Sequence, residues 1–179
     1  MSALARTMPI RSTINDLSRF ALSHVADCKV GDVFIHLGRP WMRSIVNSYN
    51  LIVDLGGGNA PITHDIRRHT TGRKVAKLLH ADLELRIVPS GDAAPETADC
   101  SIAGCVGILP AGTALFGNFA EDPTHQEAGR AALILGTGET IFHNREFPFT
   151  IATWEISWVD KRGKPVLTII RDVSAPLSL

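Results

Sequence analysis

The last third of the chain constrains the fold most. It runs Ala-Ala-Leu-Ile-Leu at 131–135, Gly-Thr-Gly at 136–138, a long strand-like stretch from Ile141 to Val159, the breaker Asp160-Lys161-Arg162-Gly163, and a last run from Val166 to Asp172. Strand, glycine turn, long strand, tight turn and final strand is the order of antiparallel β structure. Trp154 and Trp158 lie four apart on that long strand, so they share a face, and Glu155 takes the other one. A carboxylate and both indoles face the same way only if a bulge intervenes.

Length and charge narrow the class. A chain of 179 residues fits one domain with a substantial core. Lys+Arg and Asp+Glu are 18 each, so the net charge is zero. Nothing steers such a chain toward phosphates, which argues against nucleic acid and against a charged membrane surface. No apolar run is long enough for a bilayer span, and the first residues lack the apolar core of a secretion signal. The three cysteines Cys28, Cys100 and Cys105 form no Cys-x-x-Cys pair. The expectation is reduced thiols in a cytoplasmic protein.

Upstream, Ile14, Leu17, Ala21 and Val25 recur at helical spacing, with Ser12 or Thr13 as a cap and Asp16 in the first turn. This predicts an amphipathic helix over 13–25. The pattern then changes to strands. Val30 to Leu37 alternates and stops at Gly38-Arg39-Pro40. From Trp41 to Leu55 two readings stay open, because Trp41, Met42, Ile45 and Val46 fit a helical turn while Leu51 to Leu55 reads as a strand. Residues 63–70 are polar, either loop or short helix. Lys74 to Val88 is the longest alternating run. Short strands follow at Ser101 to Leu109 and Thr113 to Phe119. About seven or eight strands with one helix in front predict a mostly β protein. The expected architecture is a single antiparallel, about eight-stranded β-barrel with an N-terminal amphipathic helix. Residues 1–28 form a helical arm or lid, and residues 29–179 form the barrel.

Self-sufficient catalytic signatures are missing. Asp54-Leu-Gly-Gly-Gly-Asn59 matches neither a Walker loop nor a dinucleotide fingerprint. His64 and His69 are five apart, which is wrong for one helix face, and no metal site or cofactor is expected. No Gly-x-Ser-x-Gly elbow is present. Polar residues inside strands remain: His36, Glu84, Arg86, Glu155 and Arg171. On an open sheet they form a solvated face. Inside a small barrel they face a closed interior, where an acid is desolvated and its pKa shifted.

Leu133-Ile-Leu-Gly-Thr-Gly138, Phe142, Arg145, Phe149 to Val159, Gly163 and Val166 to Val173, with Gly112-Thr-Ala-Leu-Phe116 before them, resemble the allene oxide cyclase / dirigent-like β-barrel family. That family includes the bacterial spirotetronate (4+2) cyclases. The chain departs from it at Leu135 and at Glu146, where glycines are common. The resemblance implies an apolar barrel cavity and a cofactor-independent cyclase acting on a hydrophobic polyketide-like or oxylipin-like intermediate. Holding the substrate in a reactive conformer supplies most of the rate, and a hydrogen-bond donor adds to it. The catalytic roles fall to Glu155 and His36. Glu84 and Arg86 anchor a polar head group, and Trp41, Tyr49, Trp154 and Trp158 form walls. An uneven barrel edge gives room for a homodimer. Two other classes fit the same pattern. One is a non-enzymatic viral matrix- or capsid-like structural protein whose arm exchanges between neighbouring subunits. The other is a lipocalin-like carrier.

Overall fold

The structure is a computed structural model and describes residues 9–56, 61–66, 72–90, 93–94, 103–119, 130–143 and 150–172. Short β-rich runs between breakers become strands, as their composition predicts. In chain order these are β1 (Ile10–Ile14), β2 (Phe20–His24), β3 (Val33–His36), β4 (Arg39–Val46), β5 (Tyr49–Asp54) and β6 (Ile62–Asp65). Next come β7 (Lys74–Leu78), β8 (Glu84–Pro89), β9 (Ala93–Ala94), β10 (Val106–Leu109), β11 (Gly112–Phe119) and β12 (Arg130–Ile134). The last four are β13 (Thr140–His143), β14 (Thr150–Ile151), β15 (Trp154–Val159) and β16 (Pro165–Arg171).

Two sheets result. The smaller has the order β1-β16-β15-β8. The larger runs β2-β7-β3-β4-β5-β6-β11-β10-β14-β9, and β12 and β13 continue from β11 as a branch. Pairing is antiparallel except between β6 and β11. Among the described residues neither sheet closes, so the single barrel expected from the turn pattern is not formed. A lone parallel bridge from Ile45 to Glu139 brings the β12–β13 turn against β4 without making a ladder. One apolar core joins the sheets. Trp154, Ile156, Trp158, Leu167 and Ile169 from the smaller pack with Val33, Met42, Val53, Leu78, Leu115 and Leu133 from the larger. Each such side chain contributes about 1.5–3 kcal/mol when fully buried. This packed interior occupies the place where a barrel fold would hold its cavity.

The predicted helix over 13–25 is also absent. Its residues instead form β1, a 3-10 turn at Leu17–Arg19, β2 and a second 3-10 turn at Val25–Asp27. Thr13 and Ile14 are β-branched and suit a pleated surface. Asp16 ends β1 by accepting the Ser18 amide at 3.0 Å, which starts the tight turn. Remote strands then supply the backbone partners, β16 for β1 and β7 for β2. Leu17, placed on the apolar stripe of that helix, is 73 % exposed, and so is Leu22 within the same segment. The helical lid goes with the helix.

Other expectations are resolved locally. Trp41 to Leu55 is a β4–β5 hairpin, not a helical turn, with Asn47 and Ser48 at its tip. The long alternating run from Lys74 to Val88 divides into β7 and β8, which belong to different sheets. The stretch from Ile141 to Val159 contains β13, β14 and β15. The 160–163 hairpin forms as expected. Asp160 Oδ1 accepts the Arg162 and Lys164 amides at 2.8 and 2.9 Å, and Gly163 takes the left-handed φ of +78° that the turn needs.

Candidate functional site

Alternation along β15 settles where its side chains go. Trp154, Ile156 and Trp158 point into the core. The Trp154 indole N–H donates to the Gly104 carbonyl at 2.8 Å, so even its polar atom is engaged internally. Both tryptophans expected at a cavity wall are core residues. Glu155 takes the outer face, opposite Val88 on β8 and Ile170 on β16. It is half-buried and accepts the Ser157 hydroxyl at 2.7 Å. With Val88, Thr153, Trp154, Ile170 and Asp172 it lines an open groove of about 480 Å³.

Glu84 and Arg86 lie two apart on the outer side of β8 and hold each other. Arg86 Nε and Nη2 donate to the two Glu84 oxygens at 3.2 and 3.1 Å. The hydrogen bond and charge of Arg86 keep the Glu84 carboxyl below its ordinary range. Both are exposed, so the pair is screened by water and adds little stability. As a ready-made fork it already satisfies the groups expected to anchor a ligand.

The remaining expected site residues stand on the larger sheet. His36 ends β3, and its carbonyl accepts the Trp41 indole N–H at 3.2 Å. The two rings meet edge to face at 6.0 Å, and the tilted His64 ring lies 5.4 Å from Trp41. Trp41 is buried with Phe34, Ile52 and Val75. Tyr49 is partly exposed beside the β4–β5 tip. Glu155 and His36, the expected catalytic pair, are therefore on different sheets. Cys100, His69, His125, Arg145 and Phe149 lie outside the described residues. Among the described residues, no group of three His, Cys, Asp or Glu side chains converges on a point.

A buried polar joint escaped the sequence reading. Asp32 precedes β3 and is 5 % exposed. Its Oδ2 accepts Lys77 Nζ at 2.5 Å and the Lys29 amide at 2.7 Å. His80 Nε2 lies 2.8 Å from Oδ1. Burial pushes the Asp32 carboxyl upward, but the hydrogen bonds from Lys77, His80 and the Lys29 amide outweigh it and hold the group ionised. Nearby, Cys28 is buried and its thiol is pushed up by that burial. Arg43, on β4, is buried too. Its Nη1 donates to the Leu51 carbonyl at 3.2 Å, and burial pushes its guanidinium downward. The joint ties β7 to the start of β3. Nothing in the local pattern links residue 32 to residues 77 and 80.

Comparison with known families, curated proteins and solved structures found no match. The resemblance to dirigent-like barrels thus rests on the residues quoted for it. Among the described residues, no helix is long and apolar enough to cross a membrane.

The N-terminal segment has the most distinctive placement. Among the described residues, β1 is one of the two edge strands of the smaller sheet and β2 is an edge strand of the larger one. The five residues between them carry the chain from sheet to sheet. On one side, the Asn15 amide donates to Val166 O at 2.8 Å and its side chain to Thr168 Oγ1 at 3.2 Å. On the other, Arg19 pairs with Asp82, and the Leu79 amide donates to Arg19 O at 2.8 Å. Leu17 and Leu22 project into solvent from this segment. One continuous arm therefore caps an edge of each sheet.

Proposed function

We propose that this chain is a non-enzymatic structural subunit, of the matrix or capsid kind, that assembles with its own copies through its N-terminal arm. The observation that carries the reading is the arm's position at the outer edge of both sheets, with two leucines in water. An edge strand offers unpaired backbone groups to another chain. A terminal strand that pairs with its own body pairs equally well with the same site on a neighbour, which makes exchange a low-cost route to assembly. The exposed Leu17 and Leu22 side chains gain from being covered in such an assembly.

A cyclase draws less support from the geometry. Its indoles belong to the packed core, its acid and imidazole stand on separate sheets, and the groove beside Glu155 is open to solvent. Water in an open groove screens the electrostatic help that a cyclisation site needs.

Sedimentation velocity over a range of protein concentrations tests the assembly reading. The expected result is growth from monomer to larger species without any added ligand. Leu17→Glu with Leu22→Glu should return the monomer while leaving thermal stability within about 0.5 kcal/mol, as surface changes do. A chain that stays monomeric at the highest soluble concentration overturns the proposal.

A further inference from the structure

Glu155 stands between two exposed aliphatic side chains on the outer face of the smaller sheet. The register sets Val88 of β8 on one side of it and Ile170 of β16 on the other, and these are 53 % and 38 % exposed. All three line the open groove. The Glu155 carboxylate accepts the Ser157 hydroxyl, and among the described residues no cation lies within ion-pair distance of it. Arg11 is in the same row of the sheet but two strands away, on β1. A half-buried carboxylate without a counter-charge favours a cation beside it. The aliphatic walls suit the methylene stem of a lysine or an arginine, whose charged head then reaches the carboxylate.

We propose that this groove receives the Lys161-Arg162 tip of a second copy of the chain, in a head-to-tail contact. The contact rests on the self-assembly proposed above and gives it a second, charged interface. The tip joins β15 to β16, so groove and tip are the two ends of one hairpin. Lys161, Arg162 and Lys164 are exposed there, and among the described residues none of them has an ion pair. The carboxylate of the turn, Asp160, is taken up by the Arg162 and Lys164 amides, which fixes the backbone of the tip. Lys164 acts through its charge on Asp16 of the arm, so the contact is assigned to Lys161 and Arg162. From Glu155 to Lys161 the strand runs about 20 Å, and a tip is out of reach of its own groove. The chain has no net charge, so copies meet without overall repulsion. Because the two patches differ, the contact is heterologous and repeats from copy to copy until a ring closes or a filament grows.

Sedimentation velocity on the full chain tests the contact with two variants, Glu155→Lys and Lys161→Glu with Arg162→Glu. Each alone should stop at the small species that arm exchange makes. Their equimolar mixture should regain the native sizes, because each supplies the half that the other lacks. Cross-linking decides the matter even if a variant does not fold. Native protein is mixed with isotopically heavy native protein and treated with a carbodiimide, which joins a lysine amine to a carboxylate in contact with it. The expected product links Glu155 of a light copy to Lys161 of a heavy one. Native-sized assemblies of either variant alone overturn the contact and leave the arm in place. So does the absence of that link in a chain that assembles, or a link from Glu155 to Lys29 or Lys74 in its stead. A chain that is monomeric at every concentration overturns both.

Discussion

Trp154 is fully buried, yet its indole N–H reaches the Gly104 carbonyl. Both parts of the side chain matter. Trp154→Ala should cost about 3–5 kcal/mol in chemical denaturation, the range for emptying an aromatic site. Trp154→Phe keeps part of the packing but leaves the carbonyl without its donor, a loss of about 1–3 kcal/mol for that term. Asp32 makes a pH-dependent contribution. Its folded-state pKa is lowered, so it stabilises the fold above the ordinary carboxylate value and stops doing so as pH falls through the folded value. The sign predicts that the native protein loses stability in acid and that Asp32→Asn is less stable at neutral pH but loses less in acid. Urea unfolding between pH 7 and strongly acidic conditions checks this, and parallel curves for the two proteins would contradict it. At this scale the sequence was partly legible. Alternation alone placed Glu155 opposite the two tryptophans. It said nothing of Asp32, because Lys77 and His80 reach it from another strand and the loop beyond it.

Two turns decide how the strands meet. The β4–β5 hairpin turns at Asn47 and Ser48, with φ of +44° and +74°. Two consecutive left-handed residues match the twist of the strands they join, and glycine is preferred at the second. Ser48→Gly should therefore stabilise the protein by about 1 kcal/mol, read as a rise of a few degrees in Tm. Gly138 works in the other direction. It lies in the β12–β13 turn at φ +77°. A Cβ there would sit 2.3 Å from the Gly31 nitrogen and 2.4 Å from its Cα. Its carbonyl accepts the buried Ser44 hydroxyl at 2.6 Å. This turn is what docks the β12–β13 pair onto β4. Gly138→Ala should cost more than about 2 kcal/mol, since both the backbone conformation and the close approach forbid a side chain. A thermal melt within a degree of the native protein would refute that. The glycine turn itself was readable from Gly136-Thr-Gly138, but its docking partner was not.

Across the whole molecule, one core couples the two sheets. Trp41 reports on the larger sheet, while Trp154 and Trp158 report on the smaller. Tryptophan fluorescence and far-ultraviolet circular dichroism should follow one coincident unfolding transition, as expected when the largest core is shared by both sheets. Two separated transitions would show that the sheets are independent. The arm belongs to this scale as well. By completing an edge of each sheet it couples any exchange between subunits to both layers at once, so loss of the arm from one partner should weaken both sheets of the other.

The order of residues determined what is local: a mostly β chain, breakers between short strands, the 160–163 hairpin, and the face each strand residue takes. These follow from backbone sterics and a side-chain period of two, which need no partner. Tertiary structure decided which strands pair, that the sheets stay open, and that residues 13–25 become strands despite helical spacing. Alternation names a face but not a neighbour. Ile10 finds its partner at Arg171, and the hydrogen bonds of that ladder outweigh a weak local helical preference. The same long-range pairing places a buried guanidinium on Cys105, a contact between two residues that no spacing rule connects.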